Sequence, residues 1–218
     1  MQKTARGEPG CFMVDKVDAI LLASGFSDRF GPENKLLRPF RGIALAERAL
    51  LLACGLSGLN EIHFVYADPS LAALAGKYPV SLVENSNPGR GICESVRLGV
   101  ASSSADYYLF VHCDQPMLDA ATVETVLALR RPGRIVTPYW QRNPGNPSLF
   151  SADLRRELLE LADGESPRII RRRHPELIIE AELEDFLPLR DVDTREDLEF
   201  FENLPFSAHK SSGSEIVP

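Results

Sequence analysis

The segment VDAILLASGFSDRFGPENKLL, residues 17–37, joins a short apolar run to a polar loop that contains two glycines. The run is interrupted only by Asp18 and stops just before Gly25, which predicts a buried β-strand over residues 17–23. Glycine allows the backbone to approach a ligand closely, and a turn after a strand offers backbone N–H groups to phosphate oxygens. Arg29 and Lys35 add positive charge to this turn. The segment therefore predicts a phosphate-binding loop or, alternatively, a solvated surface loop.

Two common phosphate-binding signatures are absent from this loop. There is no Gly-Lys-Ser/Thr ending, which excludes a P-loop, and no G-x-G-x-x-G, which excludes the dinucleotide-binding fingerprint. The pattern that is present is G-x-S-x-R-x-G, which begins at Gly25 and is followed by Asn34 and Lys35. A phosphate site built on this loop would therefore be of another kind.

The composition predicts one folded domain without a nucleic-acid or membrane partner. The 218 residues are 44% hydrophobic, enough to bury a core, and the formal net charge of −7 provides no overall basic surface for nucleic acid. The four cysteines form no C-x-x-C, so we expect reduced thiols in a cytoplasmic protein. No apolar run reaches about 18 residues, so no membrane span is expected. We predict a flexible N-terminal arm at 1–16, one domain at 17–205 and a flexible C-terminal tail at 206–218.

The rest of the chain alternates between strand and helix patterns, which is typical of an α/β fold. Runs of β-forming residues recur at 61–67, 80–84, 106–113, 134–139 and 177–183, and helical patterns recur at 43–56, 69–77, 92–103, 120–131, 151–162 and 195–204. The run DYYLFVHC at 106–113 is the strongest strand pattern, so we expect it to lie in the centre of the sheet.

Asp114 follows this central run directly and begins the tripeptide D-Q-P. Ligands of open α/β sheets bind at the carboxyl ends of strands, so a carboxylate in this position is well placed to hold a metal. Mg²⁺ commonly takes one or two protein carboxylates together with substrate phosphates. Asp191 or Asp193, in the stretch RDVDT at 190–194, could complete such a site. The alternative role for Asp114 is a helix cap or a turn.

The strongest basic patch is RIIRRR at 168–173. An arginine cluster can receive a phosphorylated ligand, but arginines near the end of a helix are commonly solvated and complement its dipole. We therefore predict a solvated helix end for Arg171, Arg172 and Arg173, and keep Arg168 as a candidate ligand contact.

The loop motif LASGFSDRFGPENKLL and the D-Q-P tripeptide resemble the MobA-like nucleotidyltransferases. Phe30 and the Lys-Leu-Leu ending are most similar to the molybdenum cofactor cytidylyltransferase branch of that family. The resemblance implies a three-layer, Rossmann-like α/β fold with a mainly parallel central sheet. It also implies transfer of CMP from CTP to the phosphate of molybdopterin, with release of pyrophosphate and with Mg²⁺ as cofactor. A molybdenum hydroxylase would then receive the product.

The resemblance also implies roles for individual residues. Asp114 would bind the metal, and Arg29 and Lys35 would contact the triphosphate. The other implied nucleotide contacts are Leu22, Ala23, Ser24, Gly25, Ser27, Asn87, Gly91 and Ser95. The implied acceptor contacts are Gly145, Asn146, Pro147 and Arg168.

Three departures from the family pattern leave other functions open. Ser24 stands where the family has alanine or glycine in the base-recognition stretch, Arg142 replaces a glycine, and the order of Asp163 and Gly164 is reversed. The alternatives are a related transferase that uses GTP or another acceptor, a nucleotide-sugar glycosyltransferase, and a non-catalytic carrier of the molybdenum cofactor.

Overall fold

The computed structural model describes residues 15–25, 30 and 33–205. The predicted tail at 206–218 and all of the predicted arm except residues 15 and 16 lie outside the described residues. Ser27 and Arg29, which the sequence predicts as nucleotide contacts, also lie outside them. Within the described ranges, no helix is both long and apolar enough to cross a bilayer.

One large sheet forms the middle layer of the domain. The strands in the described residues are β1 Val17–Ala23, β2 Pro39–Phe40, β3 Ile43–Ala44, β4 Ile62–Tyr66, β5 Ser81–Glu84, β6 Tyr107–His112, β7 Ile135–Trp140, β8 Asn143–Pro144, β9 Ser148–Ser151 and β10 Ile178–Glu182. Eight of them form the sheet, in the order β10-β7-β9-β6-β1-β4-β5 with β8 paired to β7. The two most apolar runs, β1 and β6, pair in parallel at its centre, as the sequence predicts for the run at 106–113.

Helices cover both faces of this sheet. They are α1 Leu45–Gly55, α2 Pro69–Ala75, α3 Ile92–Ser102, α4 Ala120–Ala128, α5 Arg155–Leu159, α6 Arg168–Arg173 and α7 Arg195–Glu202. Successive side chains of a strand point to opposite faces, so Ala19 and Leu21 pack in one core with α1 and α4. Ile20, between them, packs in a second core with α3, α5 and α6. The predicted three-layer α/β fold with a mainly parallel sheet is confirmed.

The predicted helix at 151–162 is wrong at its beginning. Strand β9 ends at Ser151, and only a 3₁₀ turn at Ala152–Leu154 and the five-residue α5 follow it. Ser151 Oγ accepts a hydrogen bond from the backbone N–H of Asp153, so this residue both ends the strand and caps the turn that follows it. Strand β9 lies antiparallel between β6 and β7, with Ser148 beside Phe110. This direction brings the start of β9 to the carboxyl ends of the parallel strands.

A buried polar cluster lies at the amino end of β1. Asp18 is 1% exposed. Its carboxylate accepts hydrogen bonds from Ser103 Oγ at 2.6 Å, from Asn60 Nδ2 at 2.9 Å and from the backbone N–H of Glu61 at 3.0 Å. His63 Nε2 lies 3.2 Å from the same carboxylate. Burial alone would raise the pKa of Asp18, but the hydrogen bonds, led by that of Ser103, outweigh burial and hold this pKa below its ordinary value.

Candidate functional site

Lys35 lies at the carboxyl edge of the sheet, in a turn that fixes its position. Asn34 caps the 3₁₀ turn Lys35–Leu37, because its Oδ1 accepts a hydrogen bond from the backbone N–H of Leu36 at 3.0 Å. The ammonium group of Lys35 donates to Asp114 Oδ2 at 2.7 Å and to the carbonyl oxygen of Val192 at 2.6 Å. Burial lowers the pKa of Lys35, but the carboxylates around it, above all that of Asp114, raise it above its ordinary value. Lys35 is therefore a fixed cation.

Asp114 and Asp191 form a partly buried acidic pair beside this lysine. Their carboxylate oxygens and a ring nitrogen of His112 all lie within 4.8 Å of one another. The Oδ1 atoms of both aspartates are buried and have no hydrogen-bond partner in the described part of the chain. Burial, followed by the charge of Asp114, raises the pKa of Asp191 to about 7. Two orphaned carboxylate oxygens and one imidazole fit the ligand preferences of a divalent cation.

A backbone hydrogen bond explains why the segment around Asp191 lies beside Asp114. The amide of Val192 donates to the carbonyl oxygen of Asp114 at 2.8 Å, which places the stretch RDVDT beside the D-Q-P tripeptide. Asp193 then points to Lys35, with Oδ1 3.3 Å from Nζ, and its side chain is 42% exposed. The sequence left Asp191 and Asp193 as equal candidates for a metal ligand. The geometry places Asp191, rather than Asp193, against Asp114.

Sequence reasoning did not single out His112. It is the last residue of β6, and the period of two along a strand predicts that residues 112 and 114 share a face. That alternation, applied past the end of the strand, was the signal that could have identified it. Burial lowers the pKa of His112, and the nearby cations Arg168 and Lys35 lower it further against the opposing effect of Asp114.

A cleft of about 260 Å³ opens above Lys35 and Asp114. Five of the predicted nucleotide contacts line it, namely Leu22, Ser24, Gly25, Gly91 and Ser95. Two others do not line it: Ala23 is buried in the core, and Asn87 is exposed, with its backbone N–H donating to Asn85 Oδ1 at 2.9 Å. We call this cleft the nucleotide pocket.

The family departure at Ser24 is matched by polar neighbours. Ser24 Oγ is hydrogen-bonded to Ser95 Oγ, and Asn85 Nδ2 donates to Ser95 Oγ at 3.1 Å and to Ser24 Oγ at 3.4 Å. All three side chains are buried. A serine at this position therefore has its hydrogen-bonding capacity largely satisfied inside the wall of the nucleotide pocket.

A second cavity of about 250 Å³ lies on the other side of His112. We call it the acceptor pocket. Its lining includes the predicted Asn146 and Arg168, together with Ser148, Phe110, Phe150, Pro167 and Arg171. Leu22, Ile92 and His112 line both pockets, so the two cavities meet at one wall.

The predicted Gly145 and Pro147 are not among the residues that line the acceptor pocket, and they belong to the loop beside it. Gly145 donates its N–H to the carbonyl oxygen of Pro138 at 2.8 Å, and a Cβ at Gly145 would lie 2.9 Å from the Leu189 side chain. The Asn146–Pro147 peptide bond is cis. Gln115 Nε2 donates to the carbonyl oxygens of Leu189 at 3.1 Å and Asn146 at 3.4 Å. The middle residue of D-Q-P thereby joins this loop to the segment that leads to Asp191.

The prediction of a solvated helix end is wrong for Arg171 and correct for its two neighbours. Arg172 and Arg173 are exposed, whereas Arg171 is only 8% exposed and lines the acceptor pocket. Residues three apart on a helix share a face, so α6 turns Arg171 inward on the same side as Arg168. The sequence RRR does not predict this difference in burial. A helix of six residues has too few apolar residues to show which of its faces is buried.

Asp163 and Gly164, whose order is reversed relative to the family pattern, both contact the segment that contains Arg90 and Gly91. The backbone N–H of Gly164 donates to the carbonyl oxygen of Arg90 at 2.9 Å, and a Cβ at Gly91 would lie 3.4 Å from Gly164 Cα. The Asp163 carboxylate accepts hydrogen bonds from Arg90 Nε and Arg97 Nη2, both at 3.1 Å. These contacts tie the loop of the nucleotide pocket to the loop that precedes α6.

Known proteins resemble this chain in sequence and in fold. Nicotine blue oxidoreductase from Paenarthrobacter nicotinovorans is 30% identical over 199 residues, which cover 86% of this chain and 94% of that protein. A nucleotidyl transferase from Methanothermobacter thermautotroptrophicus (Mth528) has a TM-score of 0.74 at 20% identity, over 86% of this chain and 96% of that one. Rv0371c from Mycobacterium tuberculosis H37Rv has a TM-score of 0.75 at 22% identity, over 87% and 99%. The family described as MobA-like NTP transferase domain matches residues 19–177, and the chain belongs to that family.

Proposed function

We propose that this protein is a cytidylyltransferase that transfers CMP from CTP to the phosphate of molybdopterin. The observation that supports this most directly is that the nucleotide and acceptor pockets meet at His112, beside Lys35 and Asp114. A transferase must hold two bound substrates next to each other. Two neighbouring pockets that share lining residues suit that requirement, whereas a carrier of one ligand would need only one cavity.

The reaction needs no covalent intermediate on the protein. An oxygen of the acceptor phosphate forms a bond to the α-phosphorus of CTP, and the bond from that phosphorus to the bridging oxygen of the β-phosphate breaks. Pyrophosphate leaves with the electron pair. The protein supplies alignment and positive charge. Lys35 is the fixed cation in the described part of the site, and we expect Arg29 and Ser27 to contact the triphosphate from the loop.

Asp114 and Asp191 are the residues that would hold the divalent metal, which we propose to be Mg²⁺. Their orphaned Oδ1 atoms are the oxygen donors that Mg²⁺ prefers, and His112 lies beside them. When bound, the cation would neutralise charge on the phosphate oxygens. A structure of Rv0371c has been solved as a complex with manganese.

The choice of CTP and molybdopterin rests on the resemblance at Phe30 and the Lys-Leu-Leu ending. Ser24 is compatible with it, because its hydroxyl is engaged by Ser95 and Asn85 in the pocket wall. We propose that a molybdenum hydroxylase uses the product. Neither nucleic acid nor a membrane is expected as a partner, and the expected location is the cytoplasm.

The experiment is pyrophosphate release with Mg²⁺, molybdopterin and each of the four NTPs in turn. Release with CTP, and only when molybdopterin is present, is the expected result. Release with GTP alone would keep the mechanism and overturn the choice of base. Because one relative is named an oxidoreductase, the same preparations are tested for oxidation of NADH and NADPH with a quinonoid dye. Oxidation without any pyrophosphate release would overturn the transferase proposal.

Asp191 and Asp193 should differ sharply in their importance for metal binding. Asp191→Asn is expected to reduce kcat/KM for pyrophosphate release about 10²–10³-fold, because it removes a charge from the metal-binding pair. Asp193→Asn should cost less than about tenfold, because this side chain is partly solvated. Binding of Mn²⁺ followed by electron paramagnetic resonance should weaken in the first variant and persist in the second. Equal losses in both would contradict the assignment.

A further inference from the structure

Arg171 is buried without an acidic partner. Its Nη1 atom contacts three neutral oxygens at long range, Thr137 Oγ1 at 3.3 Å, Gly145 O at 3.4 Å and Ser148 Oγ at 3.4 Å. No carboxylate of the described residues forms an ion pair with its guanidinium group. Arg173, on the same helix, is exposed and does have such a pair, with Glu165 Oε1 at 3.3 Å. Of these two arginines, the buried one is therefore the one that lacks an ion pair among the described residues.

Burial of a cation without a neighbouring anion raises the free energy of the folded protein. Transfer of a charge out of water is repaid only by an opposite charge and well-formed hydrogen bonds. Burial, followed by the nearby charge of Arg168, lowers the pKa of Arg171 to about 10, so the guanidinium group is still charged at neutral pH. Only Nη1 has hydrogen bonds in the described structure, so most of the five N–H donors of the guanidinium group are not used.

The space next to Arg171 has two distinct walls. One wall of the acceptor pocket is formed by Phe110, Phe150 and Pro167, which suits a flat, partly apolar body. The other has Arg168 and Arg171, which are close enough for each to affect His112 electrostatically. His112 is where this cavity meets the nucleotide pocket. A ligand anion held by the two arginines would thus lie next to the wall shared with the nucleotide pocket.

We propose that Arg171, acting with Arg168, binds the phosphate monoester of the acceptor and selects acceptors that combine a planar ring system with this dianion. Arg171 is a specificity-determining residue that is charged before the substrate arrives and balanced only when it has bound. The identity of the acceptor rests on the proposed function, but the presence of an anion site at Arg171 does not. Planar guanidinium groups suit two phosphate oxygens better than a lysine point charge does.

The test compares two ligands that differ only in the phosphate. A 6-hydroxymethylpterin and its phosphate monoester are titrated into the full chain, and binding is followed by pterin fluorescence. Arg171→Met keeps an unbranched side chain and removes the charge. It should weaken binding of the phosphorylated pterin about 10- to 100-fold and leave the unphosphorylated one within about threefold. Arg171→Lys, which keeps a charge without the planar fork, should lie between wild type and Arg171→Met.

Arg172→Gln is the matched control, because it removes an exposed arginine from the same helix. It should leave the affinity for both pterins within about twofold of wild type. Circular dichroism of each variant establishes that the fold is kept. A uniform loss for both pterins in Arg171→Met, or an equal loss in Arg172→Gln, would overturn the proposal.

Inorganic phosphate separates this inference from the proposed function. Isothermal titration with phosphate should give a signal with wild type and Arg172→Gln that Arg171→Met lacks. If phosphate binding depends on Arg171 while neither pterin binds, the anion site stands and the proposed acceptor is wrong. If wild type binds neither phosphate nor the phosphorylated pterin at millimolar concentration, the inference about Arg171 is wrong, whatever the transferase assay shows.

Discussion

Asp114→Ala is expected to lower kcat/KM for pyrophosphate release by about 10³-fold or more, with the fold retained. Two functions of this carboxylate disappear together. Its Oδ2 fixes the Lys35 ammonium at 2.7 Å, and its buried Oδ1 is one of the two orphaned oxygens at the candidate metal site. Lys35 keeps its bond to the carbonyl oxygen of Val192, so the turn that holds it should stay in place.

Asp106→Ala provides the matched control for this variant. Asp106 precedes β6 as Asp114 follows it, and it is exposed, with Oδ2 accepting a hydrogen bond from the Lys16 backbone N–H at 2.9 Å. Its loss should leave kcat/KM within about twofold, as is usual for a solvated surface charge. Asp114→Asn, which keeps the shape, should be nearly as inactive as Asp114→Ala. More than a tenth of wild-type activity in Asp114→Ala would contradict the proposed mechanism and favour a non-catalytic carrier.

Asp18→Ala should destabilise the protein by about 3–5 kcal/mol at neutral pH, because it leaves the buried Ser103 hydroxyl and His63 ring without the carboxylate that they contact. Ser103, Asn60 and the backbone N–H of Glu61 all donate to this carboxylate. The cluster lies at the amino end of β1, away from both pockets, so activity per folded molecule should not change. Urea denaturation followed by circular dichroism measures the difference in unfolding free energy. Asp106→Ala should change it by about 0.5 kcal/mol or less.

The destabilisation by Asp18→Ala should depend on pH in a defined direction. The pKa of Asp18 is lower in the folded than in the unfolded chain, so the ionised carboxylate favours the folded state. This contribution is fully present above the unfolded pKa of about 3.9 and is lost as the pH falls through the folded value. The gap in unfolding free energy between wild type and Asp18→Ala should therefore be constant from pH 7 to about 5 and narrow below about 4. A gap that widens in acid would show that the carboxylate is not the stabilising group.

The central strands and the lysine–aspartate pair were predictable because local patterns specify them. The runs around Ile20 and Phe110 are apolar on both faces, which only a buried parallel strand between two helical layers requires. Lys35 and Asp114 each follow such a strand, so the carboxyl edge of the sheet brings them together. Their roles in the proposed reaction remain predictions until the variants are measured.

The predictions were wrong or incomplete where contacts between distant parts of the chain determine the secondary structure or the burial of a residue. Strand β9 is four residues long, and its last residue, Ser151, is also the cap of the next turn, so the pattern could be assigned to a helix. Nothing in the sequence next to Arg171 distinguishes it from a solvated arginine. Only the packing of α6 against the sheet buries it. His112 gains significance from Asp191, which lies far away in the sequence.

Strand β9 runs antiparallel to its neighbours, and the residues that line the two pockets come from separate stretches of the chain. Every residue that lines only the nucleotide pocket lies at or before Asp114, and every residue that lines only the acceptor pocket, apart from Phe110, lies at or after Asn146. The linings of the two pockets are therefore separable along the chain. Recombination at a single point between residues 115 and 145 would exchange most of the lining of the acceptor pocket, while Asp191 of the candidate metal site and Val192, whose carbonyl oxygen holds Lys35, would come from the second parent. The constraint on such an exchange is the pairing of β9 with β6, whose register must be kept.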